Sequence, residues 1–249
     1  MSNLNLNKKK ILNQIQFLRG ISVILVFLYH LELKSFEYGF LGVDIFFVIS
    51  GFVITSMIYN EIYITGKFNL FNFYIKRLKR IYPVLFFILS ISFFLVILFQ
   101  PLEFFIDNLR VYLNSLLGIS NFYYLSQEKN YFDTVFNDPF SHTWSLGVEL
   151  QFYLIFPIFI FFLIKYLNFF SSIIILILLI TFGILTSHIF EQNIKLIFYS
   201  PAFRFWEFLI GSLAFFLNTK IKFKNYYLSL LIFLILLFFI IISKKILLP

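Results

Sequence analysis

The sequence predicts an all-α fold, a polytopic bundle of transmembrane helices. Two observations carry that expectation. Of 249 residues, 61% are hydrophobic and only 13% charged, with a mean hydropathy of +0.91; soluble domains carry about 25% charged residues. The apolar residues also gather into seven segments, at about 16–33, 41–60, 82–99, 150–166, 172–188, 202–217 and 226–243. Each approaches the roughly 20 residues that cross a hydrocarbon core. Lipid leaves open strands unsatisfied, so such spans are helical. Residues 1–249 read as one transmembrane domain, with 100–149 as an external segment carrying short helices.

Span one follows Lys8, Lys9 and Lys10 with no small-residue cleavage site after it. It reads as an uncleaved first helix with a cytoplasmic N-terminus. Lys67, Lys76, Arg77, Lys79 and Arg80 follow span two, again inside, and Pro83 suits the start of span three. That span leads to an acidic outer segment, where Glu103, Asp107, Glu128, Asp133 and Asp138 outnumber Arg110 and Lys129. Within it, 104–117 reads as an amphipathic helix with Leu109, Leu113, Leu116 and Leu117 apolar. Tyr123, Tyr124, Tyr131 and Phe132 suit an interface or a sugar-stacking surface. Lys165 returns inside after span four, and Lys220, Lys222 and Lys224 after span six. Lys244 and Lys245 fall outside, a mild departure from the positive-inside pattern.

Composition also excludes chemistry. Without cysteine there is no disulfide, thiolate nucleophile or Cys-ligated metal. With three histidines and no HExxH, no metal site is expected. The net charge of +8 lies in clusters between apolar segments, so no nucleic-acid partner is expected.

The candidate functional groups are ionisable residues in or beside spans. Arg19 and His30 are eleven residues apart, about three helical turns or roughly 16 Å, and share a face. Such groups usually face a cavity or the bundle interior; the alternative is a snorkelling arginine and a histidine satisfied by a neighbouring helix. Asp44, at the start of span two, must pair or lie at the rim, and is a candidate to orient His30. Ser50-Gly51 reads as close helix packing, since no G-x-S-x-G elbow surrounds Ser50. His142 lies at the outer boundary near Trp144 and Glu149; His188 is read as interfacial. Trp144 either stacks on a sugar or sits in the aromatic belt. Glu149 either binds hydroxyls, polarises His142 or moves a proton, or caps the first turn of its helix. Arg77 and Arg80, three apart, suit a polyphosphorylated ligand or topology equally, and Arg204 and Glu207 are expected to pair within span six.

Five local patterns then occur in order. They are Phe17-Leu18-Arg19-Gly20 running to Tyr29-His30; the stretch from Gly39 through Asp44 to Ser50-Gly51-Phe52; Arg77-Leu78-Lys79-Arg80-Ile81-Tyr82-Pro83; the stretch from Ser141 through Glu149 to Gln151-Phe152-Tyr153; and Tyr199-Ser200-Pro201 through Arg204 and Glu207 to Gly211. Together, over about 13–217, they closely resemble the membrane-bound acyltransferase family 3, O-acyltransferases of bacterial surface polysaccharides. Arginine, ten residues, histidine is that family's hallmark. Leu150 departs from the polar residue that members often carry there.

The resemblance implies an O-acyltransferase in the bacterial inner membrane. The donor would be acetyl-CoA or another acyl-CoA, held as a substrate with no permanently bound cofactor. The acceptor would be a hydroxyl of lipopolysaccharide, peptidoglycan or an exopolysaccharide. His30 is then the general base, with His142 as its rival, and Arg19 and Glu149 complete the catalytic set. Asp44, Arg77, Arg80, His142, Trp144 and Arg204 are expected to bind substrate. Partners are the lipid bilayer, the acyl-CoA and the glycan; the oligomeric state is not legible. Members usually have about ten spans, so seven lead to the expectation of a C-terminally truncated member. Two rival readings are a transporter or channel with an intramembrane charged path, and a non-catalytic remnant.

Overall fold

A computed structural model of the protein describes residues 2–31, 33–127 and 138–221. Among these residues the regular structure is helical and no strand occurs. The helices are α1 (Ser2–His30), α2 (Gly42–Thr65), α3 (Leu70–Phe99), α4 (Phe105–Leu116), α5 (Ser120–Ser126), α6 (Thr143–Tyr166), α7 (Phe169–Ile189), α8 (Ile194–Tyr199) and α9 (Pro201–Ile221). Among the described residues, four segments are long and apolar enough to cross a membrane: Gly39–Thr65, Leu70–Phe99, Thr143–Tyr166 and Phe169–Ile189. The chain is a multi-pass membrane protein. Six expected spans correspond to α1, α2, α3, α6, α7 and α9. The seventh, at 226–243, lies outside the described residues, as do Glu128, Lys129, Tyr131, Phe132, Asp133, Lys222, Lys224, Lys244 and Lys245.

Local chemistry sets the helix ends. Gly66, at φ 70°, closes α2 in the left-handed region that glycine tolerates. Asn69 then caps α3, its side chain accepting from the Asn72 amide at 2.9 Å. This cap starts α3 at Leu70 rather than near 82, so Pro83 lies inside the helix and not at its start. Neighbouring helices and local adjustment let membrane helices carry such a proline. Asn168 caps α7 in the same way through the Ser171 amide. Helix α6 begins at Thr143 rather than near 150, which puts Glu149 well past the first turn and removes its reading as a cap. The amphipathic helix expected at 104–117 is α4, but it turns Val111 and Ser115 inward and leaves Leu113 and Leu117 exposed. Ser115 is drawn in because its hydroxyl pairs with Thr143 Oγ1 at 2.8 Å.

Helices α2 and α9 form the central seam. A Cβ on Gly51 would overlap the backbone of Phe208, and a Cβ on Gly211 would overlap the backbone of Val48. Each helix therefore offers its glycine to the other, the close approach that small residues permit in membranes. Phe208 stacks on Phe47, centroids 4.7 Å apart, and Thr55 and Ser212 share a hydroxyl bond of 2.8 Å across the seam. In the most apolar 18 residues of Gly39–Thr65, 67% are buried, against 17% in the corresponding stretches of α3 and of α7. The two outer helices thus present Phe86, Phe87, Phe94, Ile177, Phe182 and Leu185 to the surroundings. In lipid, such a surface needs no protein cover.

Substituting Gly51 by leucine must separate α2 from α9, and overpacking of this kind costs about 1–3 kcal/mol. The thermal midpoint of the detergent-extracted protein should fall. Gly20→Ala, where a Cβ meets nothing within 4 Å, should leave it unchanged.

Candidate active site

Helices α1, α2 and α6 line an open cavity of about 470 Å³. From α1 it receives Ser22, Val26 and His30 at four-residue spacing, a single helical stripe. Val43, Phe46 and Phe47 of α2 form an apolar wall. His142, Ser145 and Glu149 complete the lining, at steps of three and four residues along α6 and its leading residue. The cavity therefore joins residues about 120 apart in sequence at one end of the bundle, where α1 ends and α6 begins.

His30 is half-buried. Its Nδ1 lies 2.7 Å from the Val26 carbonyl oxygen, which can only accept, so Nδ1 carries the proton. In that tautomer the lone pair is on Nε2. The Tyr29 ring packs edge-on against the imidazole at 5.4 Å. His142 lines the cavity; the residue keeps open surface, while its imidazole is set deep among surrounding protein atoms. Burial of the ring holds its pKa below the ordinary histidine value. His30 adds to that effect, while Asp138 opposes it. Asp138 is itself pushed up by burial, although it accepts from the Phe140 amide and the Tyr124 hydroxyl, each at 2.8 Å. Those two bonds shape the turn that leads His142 into α6.

Glu149 is 7% exposed. Its Oε1 accepts from Ser50 Oγ of α2 at 2.6 Å and also from the Tyr153 hydroxyl one turn on. Ser50 is therefore more than a packing residue, and Tyr153 joins the site although it was not among the candidate residues. The available signal was the four-residue step from Glu149 to Tyr153, which places both on one face.

Arg19 does not line the cavity. It lies over the Phe46 ring, 5.5 Å from its centroid, and that ring is part of the wall. Arg77 and Arg80, expected to act together, point apart: Arg77 is buried and Arg80 exposed. The Arg77 guanidinium lies between the rings of Phe73 and Tyr153, at 5.4 and 5.2 Å, and donates to Met57 Sδ.

A second cluster sits beside the cavity rather than in its wall. Arg204 Nη1 donates to Asp44 Oδ1 at 2.7 Å and to Glu207 Oε1 at 2.9 Å, and its Nε donates to the Phe198 carbonyl. The expected Arg204–Glu207 pair is present, and Asp44 joins it instead of serving as a lining residue near His30. Its position at the start of α2 directs it across the seam to α9 rather than toward α1. Trp144, offered as a sugar-stacking residue, is 2% exposed beneath this cluster. Its ring lies 5.4 Å from the Arg204 guanidinium and packs against Phe198 at 4.4 Å. Tyr124 is likewise buried, bonded to Asp138 and stacked on Tyr199. His188 ends α7 on the surface, 2.9 Å from Glu191. Among the described residues, no group of three or more His, Asp or Glu side chains is placed to hold a metal ion.

A family model described as an acyltransferase domain, that of acyltransferase family 3, matches residues 12–243. The chain belongs to this family. Similar proteins include the O-acetyltransferase OatA of Staphylococcus aureus strain NCTC 8325 / PS 47, 42% identical over 146 residues, which are 59% of this chain and 24% of that protein. A putative O-acetyltransferase, SACOL0978 of Staphylococcus aureus strain COL, is 39% identical over 145 residues, 57% of this chain and 23% of that protein. The matched part thus spans about a quarter of the length of these curated relatives. No solved structure matches.

Two outcomes are expected from these clusters. Arg204→Met leaves two carboxylates in the seam without their guanidinium, and breaking a buried pair in this way costs about 3–5 kcal/mol. Membrane accumulation and the thermal midpoint should both collapse, while Arg80→Met should change neither. The second outcome concerns pH. His142 has a lower pKa in the folded protein than unfolded, so the unfolded chain takes up the proton first as pH falls. Its contribution to stability is complete above an ordinary value of about 6.5 and is lost as pH falls through the folded value. His142→Gln should therefore lose less thermal stability than the parent between pH 7.5 and 5.5.

Proposed function

We propose that the chain is an integral membrane O-acetyltransferase unit that moves an acetyl group from acetyl-CoA to a hydroxyl of an envelope glycan. Family membership and the O-acetyltransferase names of its relatives support the reaction class. The observation that carries the mechanism is His30, its Nδ1 bonded to its own helix and its ring on the wall of a cavity.

The acceptor oxygen attacks the thioester carbonyl carbon as its proton passes to His30 Nε2. The tetrahedral intermediate then collapses, the carbon–sulfur bond breaks, and the coenzyme A sulfur leaves and takes the proton from the imidazolium. A histidine base near neutral pH suits this step. His142, on the same cavity, is the rival for the role. Glu149 places negative charge beside the imidazolium as it forms. Arg19, one ring behind the wall, adds positive charge toward the donor side, where its guanidinium and that of the exposed Arg80 suit the phosphates of coenzyme A. Lipopolysaccharide, peptidoglycan and exopolysaccharide all offer suitable hydroxyls. The basic clusters favour a cytoplasmic N-terminus in the bacterial inner membrane.

Membranes bearing the chain, given labelled acetyl-CoA and an envelope-glycan extract, should label the glycan. His30→Ala and His30→Gln should each lower transfer about a hundred-fold or more, the scale of general-base catalysis. Transfer that survives both substitutions would remove His30 as the base. A folded, inserted chain that transfers no label would overturn the reading.

A further inference from the structure

Glu149 is held in an unusual way for a carboxylate inside an apolar bundle. Such groups commonly pair with a cation, as Asp44 and Glu207 do with Arg204. Among the described residues, Glu149 forms no ion pair. Its Oε1 instead accepts two hydroxyls, from Ser50 on α2 and from Tyr153 on α6. Both donors are buried, at 1% and 6% exposure, and neither lines the cavity that Glu149 reaches. Behind them, the face of the Tyr153 ring meets the Arg77 guanidinium at 5.2 Å, which locks the phenol in place.

The consequence is geometric. Two donors from different helices converge on one carboxylate oxygen, so the group cannot rotate without losing both bonds. Hydroxyl donors also bring no opposing charge to the group, where a guanidinium would. Glu149 itself lines the cavity that His30 shares.

We infer that Ser50 and Tyr153 are positioning residues that aim the Glu149 carboxylate at the reacting end of the cavity. There its charge stabilises the imidazolium of His30 as the acceptor proton arrives. This rests on the acyltransferase reading above. The roles are not interchangeable: Glu149 meets the reacting groups, whereas the two hydroxyls act only through it.

The test compares Ser50→Ala, Tyr153→Phe and Glu149→Gln singly, and each hydroxyl variant combined with Glu149→Gln. The assay uses membranes, labelled acetyl-CoA and isolated peptidoglycan sacculi together with a lipopolysaccharide extract. Each hydroxyl variant should lower kcat about tenfold or more, as expected for a lost hydrogen bond to a charged group, with KM for acetyl-CoA unchanged. In the Glu149→Gln background neither should lower kcat further, because the group they position is gone. A merely structural role would give additive losses in both backgrounds, or a rise in KM, and would overturn the inference, as would an unchanged kcat.

A second arm needs no turnover. Glu149 is labelled with a membrane-permeant carbodiimide and the adduct is quantified by mass spectrometry. Loss of either hydroxyl should raise labelling at Glu149 severalfold, because Oε1 loses a bonded partner and the freed carboxyl group can turn to meet the reagent. Unchanged labelling would overturn the positioning. If the unmodified chain transfers no acetyl group, the acyltransferase reading falls, while this arm still decides whether Ser50 and Tyr153 hold Glu149.

Discussion

Arg204 is the charge around which the interior is arranged. A guanidinium at 2% exposure in an apolar bundle is tolerable only if several groups satisfy it together. Here Asp44 comes from α2, Glu207 from the next turn of α9, and the Phe198 carbonyl from α8. Satisfying Arg204 thus fixes three helices relative to one another. The seam glycines, Gly51 and Gly211, allow α2 and α9 to approach closely enough for this to happen. Trp144 then lies over the guanidinium and sets the start of α6.

The cavity follows from that arrangement. Anchoring the start of α6 by Trp144 brings His142, Ser145 and Glu149 to one wall, while α2, fixed by Asp44, carries Phe46 and Phe47 to another. α1 closes the third side through close contacts at Gly39 and Gly42, where added side chains would overlap the backbone of Leu25 and Ser22. His30 reaches the cavity because those contacts set the rotation of α1. The division of labour is physical. Arg204 with its two carboxylates holds the frame, whereas on the cavity wall His30 bonds the Val26 carbonyl and Glu149 accepts two hydroxyls.

The segment between α3 and α6 has a comparable role. Gln151 of α6 donates to the Gly118 carbonyl and to Asn121 Oδ1, at 2.9 and 2.7 Å, and Asn121 donates to the Tyr199 carbonyl. Short helices α4 and α5 are therefore tied to the same end of the bundle as the cavity. Tyr124 and Asp138 extend that tie to the turn before His142. Tyr124, which suggested sugar stacking by its type, is used here to build the turn, because a buried tyrosine needs both a packing surface and an acceptor.

The sequence by itself determined the class of the protein. Apolar runs of spanning length leave a helical bundle as the only stable form in lipid, and the ordered motifs around Arg19, His30, Asp44, Glu149 and Arg204 marked the family. It also marked the ionisable groups, since charge inside an apolar run is visible without coordinates. It did not mark the starts of α3 and α6, because capping by Asn69 and anchoring of Trp144 extend helices into polar stretches that hydropathy passes over. Nor could it distribute the charged residues between frame and cavity. Asp44 and Glu149 look alike along the chain, each an acid leading into an apolar run. Only the tertiary structure decided that one meets a guanidinium and the other a serine hydroxyl of a second helix, because those partners are 160 and 99 residues away and are chosen by how the helices rotate and pack.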